Sequence, residues 1–186
     1  MKNIEDSIIA PTFNSLIKEG SPYLGFLYFG LMIVEDRPFI IEYNVRFGDP
    51  EAQAVLPRLK TSIFDIFIAA INRKLQDIEI NFNNKFSVCL VLASKGYPQK
   101  YDKGFEIKGL NSRFLDDELI FHAGTALQDG KWITNGGRVL SIVCTSDQLI
   151  DAIKKTYDLS SKIIYKNKYN RTDIAKKGLE YSKWLI

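Results

Sequence analysis

The stretch IIEYNVRFGDPEAQ, Ile40 to Gln53, sets Glu42, Asn44 and Arg46 on alternate positions of an otherwise apolar run. Residues two apart in a strand share a face, so these three project together while Ile41, Tyr43 and Val45 face the other way. A carboxylate beside a carboxamide oxygen suits a hard, oxygen-seeking cation such as Mg²⁺, which keeps several waters and bridges to substrate phosphates. Arg46 adds a planar fork matched to phosphate or carboxylate. A metal and an arginine together are the equipment of phosphoryl transfer, where the work is positioning and charge neutralisation. Asp49 and Glu51 follow closely and could join the cluster. On spacing alone, a half-exposed strand with an ion pair remains the alternative.

The elements that would hold these residues are legible around them. Residues 1–20 suggest a helical segment broken at Pro11 and ended by Gly20. Tyr23 to Val34 suggests a buried strand, EDRP a turn and FIIEYNV a second strand, which together make a hairpin. DPEAQAVLPRLKTSIFDIFIAAINRKL then has a helical pattern. Asp49 is placed to cap it, Pro50 fits its first turn, and Pro57 kinks or splits it. INFNNK, near residues 80–85, is the best boundary. Beyond it, FSVCLVLAS, ELIFHAGTAL, WITNGG and RVLSIVCT are short strands between turn signals, which predicts an antiparallel sheet. A helix follows from about Asp147. Thr145 and Gln148 have capping-box spacing, and Ile150, Ile153, Tyr157 and Ile164 form an apolar stripe.

Two further groups carry possible chemistry. TNGGRVL holds Gly136, Gly137 and Arg138. A glycine pair lets backbone amides approach a ligand, and Arg138 could meet a phosphate; a turn with a surface arginine is the alternative. His122, the one histidine, lies between apolar strand residues and is expected to be a hydrogen-bonded core residue rather than a catalyst. Cys89 and Cys144 sit in apolar strand-like runs, which suits reduced, buried thiols better than a disulfide. No run approaches the ~20 apolar residues of a membrane span, and the first residues lack the pattern of a signal peptide, so the cytoplasm is the expected compartment. Residues 151–186 hold nine Lys/Arg against four Asp/Glu, a balance expected of a solvated helix face rather than a nucleic-acid surface.

The string LYFGLMIVEDRPFIIEYNVRFGDPEAQAVLPRLK, followed in order by GYP, FHAGT and TNGGRVL, resembles the glycinamide ribonucleotide synthetase (phosphoribosylamine–glycine ligase) family of the ATP-grasp superfamily. The likeness covers nearly the whole chain. It implies an α+β chain, with the second half of an ATP-grasp domain at 1–82 followed at 86–186 by a small C-terminal domain with a mainly antiparallel sheet and flanking helices. It implies an ATP-dependent ligase of purine biosynthesis that joins glycine to phosphoribosylamine through an acyl phosphate. By that likeness Glu42 and Asn44 hold Mg²⁺ or Mn²⁺ on the ATP phosphates, and Arg46 steadies the transferring phosphoryl group. Leu31 lines the nucleotide pocket, and Asp49, Gly136, Gly137 and Arg138 lie toward the substrates. Some superfamily members add an acidic ligand on the preceding strand; Tyr23 to Val34 has none, so two metal ligands are expected.

The family's usual chain is more than twice as long. Its front half carries a Rossmann-like domain and a lid with a Gly-rich loop and a lysine on the phosphates. Neither G-x-x-x-x-G-K-[ST] nor G-x-G-x-x-G occurs here. With half the ATP cleft absent, the hairpin is expected to expose apolar surface. The chain alone is expected to fold, at least from residue 86 onward, yet to lack activity unless a separate N-terminal half restores the cleft. The rival readings are another ATP-grasp ligase, a catalytically dead binding module and a nucleic-acid binder acting through the basic tail.

Overall fold

The computed structural model describes residues 2–110 and 115–182; the last four residues of the expected C-terminal domain, 183–186, lie outside them. The chain divides into two compact units, 1–49 with 61–81, and 50–60 with 82–186.

The first unit opens with one helical stretch, made of α1 (Lys2–Ile4), a π-helical turn (Glu5–Ile9) and α2 (Ala10–Lys18). Pro11 does not break it. The wider turn precedes the proline, which sits in the first turn of α2, where a missing N–H costs little. Gly20, at φ 71°, ends it in the left-handed conformation. Strands β1 (Tyr28–Val34) and β2 (Arg37–Asn44) pair as an antiparallel hairpin. Val34 opposes Arg37, so Glu35 and Asp36 form a two-residue turn with φ of 48° and 60°, the primed geometry that matches strand twist. The strand expected from Tyr23 begins only at Tyr28, and its outer half, Met32 to Val34, is exposed rather than buried. Helix α4 (Ile63–Ile71) is capped by Ser62, whose Oγ accepts the Asp65 amide at 3.3 Å. Phe26 stacks on Phe47 and meets the edge of Phe67, with centroids 4.0 and 5.2 Å apart. Only Ile8 and Ile66 are buried apolar residues among those described in this unit.

The second unit begins with α3 (Glu51–Val55) and a 3₁₀ turn (Leu56–Arg58) that carries Pro57. The long helical pattern is therefore split at Pro57. Pro50, not Asp49, occupies the position before the first turn of α3, and it supplies no side-chain cap. The Leu59–Phe82 bridge and the Asn83 amide on the Arg58 carbonyl, 2.8 Å, tie this segment to the start of β3 (Phe86–Ser94). Strands β4 (Glu118–His122), β7 (Arg138–Ser146), β3 and β8 (Lys168–Tyr169) form an antiparallel sheet in the order β4-β7-β3-β8. β5 (Thr125–Gln128) and β6 (Lys131–Thr134) form a separate hairpin around Asp129 and Gly130. Helix α5 (Leu149–Lys162) packs on β3 and β7, and α6 (Lys176–Ser182) follows. Leu90, Leu92, Val139, Leu140, Ile142, Leu159 and Ile163 make one solvent-free core.

Helix α5 departs from the expected pattern. Its buried face is Ala152, Thr156, Leu159 and Ser160; of the expected stripe, Ile153 and Tyr157 are half-buried, Tyr157 against the core, while Ile150 and, beyond the helix, Ile164 are exposed. Small residues let the helix approach the sheet closely, and the Thr156 hydroxyl is satisfied by the Ala152 carbonyl at 2.7 Å. No capping box forms, because Thr145 belongs to β7 and its amide bonds the Asp117 carbonyl. Both cysteines are free thiols. Cys144 is fully buried, which pushes its pKa up to about 11, whereas Cys89 is only half-buried.

Candidate functional site

In the first unit the hairpin register assigns each side chain to a face. Tyr28 opposes Asn44 and Gly30 opposes Glu42, so these four share one face. The pairing then slips between Gly30 and Leu31, and Ile41 is the extra residue of a β-bulge. Beyond the slip, Leu31 opposes Ile40 and Met32 opposes Phe39. Alternation along β1 sets Leu31 with Phe29, Ile40 and Tyr43 on the second face. The Phe29 and Tyr43 rings meet there edge-on at 5.3 Å. The structure does not bring Leu31 to the face of Glu42. Met32 and Phe39, both largely exposed, are the apolar residues on that face. Strand pairing and the bulge, not composition, decide which face each residue takes.

Glu42 and Asn44 stand side by side as expected. The Asn44 Nδ2 donates to Glu42 Oε1 at 2.9 Å, in the open. A half-turn of the carboxamide would exchange Nδ2 for Oδ1 and present two oxygens together. Gly30 makes the room, because a Cβ there would stand 2.8 Å from the Glu42 Cγ. That requirement is invisible without the register. Two neutral-to-anionic oxygens fit a Mg²⁺ that takes its remaining ligands from phosphates and water. No group of three or more His, Cys, Asp or Glu side chains among the described residues could hold a metal by itself.

The remaining acidic and basic candidates are less tightly assembled. β2 ends at Asn44, so Arg46 lies past the strand; it is exposed, and its guanidinium donates to the Phe47 carbonyl at 2.7 Å. Asp49 is exposed beyond the buried Gly48. Glu51 opens α3 and belongs to the second unit.

In the second unit the Gly136–Gly137–Arg138 corner is a tightly packed junction. A Cβ on Gly136 would stand 2.7 Å from the Gly124 Cα, and one on Gly137 would stand 2.0 Å from the Tyr97 ring. Ser94 clamps the corner twice: its Oγ donates to the Gly136 carbonyl at 2.9 Å and its amide to the Gly137 carbonyl at 2.8 Å. Close packing thus accounts for both glycines. It also fixes the loop from which Arg138 emerges and carries the Tyr97 ring, itself edge-on to Tyr101 at 5.9 Å. Ser94, Tyr97 and Gly124 were not singled out by the sequence, although GYP and FHAGT contain two of them. His122 is at the surface rather than in the core. Its Nδ1 pairs with Thr125 Oγ1 at 2.9 Å and its ring lies on Trp132, with partial desolvation lowering its pKa. No described helix is long and apolar enough to cross a membrane.

Both units match known proteins. The phosphoribosylglycinamide synthetase C domain matches residues 87–177, and the ATP-grasp (A) domain of the same synthetase matches residues 1–52. A phosphoribosylamine–glycine ligase of Caldanaerobacter subterraneus subsp. tengcongensis is 43% identical over 175 residues, covering 94% of this chain and 42% of the relative. The trifunctional purine biosynthetic protein adenosine-3 of Gallus gallus is 41% identical over 96% of this chain and 18% of its own length. The crystal structure of the phosphoribosylamine–glycine ligase of Thermotoga maritima superposes with a TM-score of 0.76 at 37% identity, over 92% of this chain and 42% of that one. The chain therefore spans about two fifths of the length of the single-activity ligases it matches.

Proposed function

We infer the function from the premise that the chain belongs to the phosphoribosylglycinamide synthetase family, matching its ATP-grasp and C domains. It is the C-terminal part of a phosphoribosylamine–glycine ligase, with residues 1–82 contributing to the ATP-grasp domain and 86–186 forming the C domain. The observation that carries this reading is the Glu42–Asn44 pair, held 2.9 Å apart on an open hairpin face with Gly30 cleared beneath Glu42.

In the reaction, a glycine carboxylate oxygen attacks the γ-phosphorus of ATP and ADP leaves. The amine of phosphoribosylamine then attacks the acyl carbon, the C–O bond to phosphate breaks, and the nitrogen loses a proton. Glu42 and Asn44 would hold Mg²⁺ or Mn²⁺, which supplies charge neutralisation on the ATP phosphates when bound. Met32 and Phe39 give the same face an apolar surface for the nucleotide. Arg46 is the catalytic candidate; its exposed guanidinium needs only to give up the Phe47 carbonyl to reach a phosphoryl or acyl phosphate oxygen. Asp49 and Arg138 are the substrate-binding candidates, the latter toward the ribosyl phosphate. Because the amine is already a nucleophile, His122 has no part to play. The C-domain match at 87–177 favours this ligase over other ATP-grasp enzymes.

The test is ADP release from Mg²⁺-ATP, glycine and phosphoribosylamine, with the chain alone and with the portion of the Caldanaerobacter ligase that precedes the matched region. Turnover should appear only in the mixture and fall at least a hundredfold in Glu42→Ala. Turnover insensitive to Glu42→Ala would overturn the assignment. No turnover from a folded, assembled pair would favour a dead module.

A further inference from the structure

Strand β3 runs out into a loop at residues 95–103, KGYPQKYDK, which is largely exposed yet held at both ends. The Lys95 amide donates to the Asn167 carbonyl at 2.8 Å and the Tyr97 amide to the Ser94 carbonyl at 3.1 Å. At the far end the Gly104 amide donates to the Thr134 carbonyl at 2.7 Å. Gly96, at φ 103°, closes the loop on itself, because a Cβ there would overlap the Lys100 carbonyl. Compact surface loops of this kind are frequently functional.

The loop presents an aromatic pair among cations. The Cδ2–Cε2 edge of Tyr97 lies against Gly137, the residue before Arg138, where any side chain would push the ring away. Tyr101 meets Tyr97 edge-on, and the Lys103 ammonium lies 5.9 Å from the Tyr101 centroid. Tyr97 nevertheless stays 42% exposed. Lys95, Lys100 and Lys103 stand against the single carboxylate of Asp102. A flat ring with a polar tip covers the C–H face of a sugar while its hydroxyl stays in water. Ammonium groups and a guanidinium meet a phosphate. A ring placed before the ligand arrives loses little freedom on binding.

We propose that Tyr97 is a substrate-binding residue that stacks on the ribose of phosphoribosylamine, with Lys100 and Lys103 drawing the phosphate toward Arg138. The identity of the sugar phosphate rests on the ligase reading; the surface that receives it does not.

The experiment titrates the full chain with ribose 5-phosphate and with inorganic phosphate, following the Tyr97 ring and Arg138 guanidinium resonances. Ribose 5-phosphate should shift both and bind at least tenfold more tightly than inorganic phosphate, which should shift Arg138 alone. Tyr97→Leu should weaken ribose 5-phosphate at least tenfold and leave inorganic phosphate unchanged, while Tyr97→Phe keeps the wild-type affinity for both. Lys100 and Lys103 are exposed, so replacing both by Ala leaves the fold intact even where Tyr97→Leu loosens the Gly137 corner. That double variant should weaken both anions at least threefold, and circular dichroism checks every variant. Equal ribose 5-phosphate affinity in the wild type and either variant, Tyr97→Leu or the lysine pair, would overturn the proposal, as would failure of the wild type to bind. In the ADP-release mixture, Tyr97→Leu should raise the KM for phosphoribosylamine at least tenfold and leave those for ATP and glycine unchanged. Ribose 5-phosphate binding in the predicted pattern without ADP release would leave this surface standing and remove the ligase reading. Glu42-dependent ADP release with an unaltered KM for phosphoribosylamine would do the reverse.

Discussion

The two compact units differ in where their stability comes from. In the second, Leu90, Leu92, Leu140 and Ile142 have no exposed surface and sit between α5 and the sheet. In the first, Met32, Phe39, Ile41 and Phe64 are each more than half exposed, and the buried apolar side chains among the described residues are Ile8 and Ile66. At about 25 cal/mol per Å² of apolar surface removed from water, the second unit has the driving force to offset its chain entropy and the first has little of it. Among the described residues, the hairpin that carries Glu42 and Asn44 exposes Met32, Ile33, Val34, Phe39, Ile40 and Ile41. The proposed metal-binding pair therefore stands on the unit with the smaller buried core.

The sharpest way to break this contrast is truncation in each unit. Leu140→Ala should lower the stability of the second unit by about 2–5 kcal/mol, from lost transfer energy and a cavity. Ile41→Ala should change stability by no more than about 0.5 kcal/mol. Urea unfolding followed by circular dichroism checks both, and a comparable loss at Ile41 would mean that the first unit holds a core of its own.

A smaller effect is expected at the corner of the second unit. Gly137→Ala sets a Cβ against the Tyr97 ring, and displacing that ring should cost about 1–3 kcal/mol. The same titrations measure it, and the Tyr97 ring resonances should shift. An unshifted ring would show that the corner is looser than its contacts suggest.

The smallest effect concerns acid. The hydrogen bond from Lys155 holds the Asp117 carboxyl below its ordinary value of 3.8. A depressed carboxyl adds stability that is present above the ordinary value and lost as pH falls beneath it. The pair is partly solvated, so its worth is under about 1 kcal/mol. The difference between wild type and Asp117→Asn should be constant from about pH 8 to pH 5 and shrink below about pH 4. A constant difference down to pH 2 would remove the ion pair as its cause.

Much of the fold was legible because local chemistry dictated it. EDRP announced the hairpin turn, Pro57 the split of the long helical pattern, and the runs around Cys89 and Cys144 the central strands. The Glu42–Asn44 pair followed from strand alternation alone. What failed depended on partners distant in sequence. The buried face of α5 is Ala152, Thr156, Leu159 and Ser160, because close approach to a sheet rewards small side chains over the isoleucines that a periodicity search selects. Leu31 lies on the face opposite to Glu42, because strand pairing, with its slip at Ile41, sets the faces of β1 and β2. The need for glycine at positions 30, 136 and 137 arises only when Glu42, Gly124 and Tyr97 are brought against them.

The most direct measurement is amide hydrogen exchange along the chain, alone and with the preceding portion of the Caldanaerobacter ligase added. The account predicts strong protection of β3, β7 and α5 in the chain alone, with β1 and β2 exchanging at least a hundredfold faster. Adding the second polypeptide should protect β1 and β2 selectively. Equal protection of both units in the chain alone, unchanged by the addition, would contradict it.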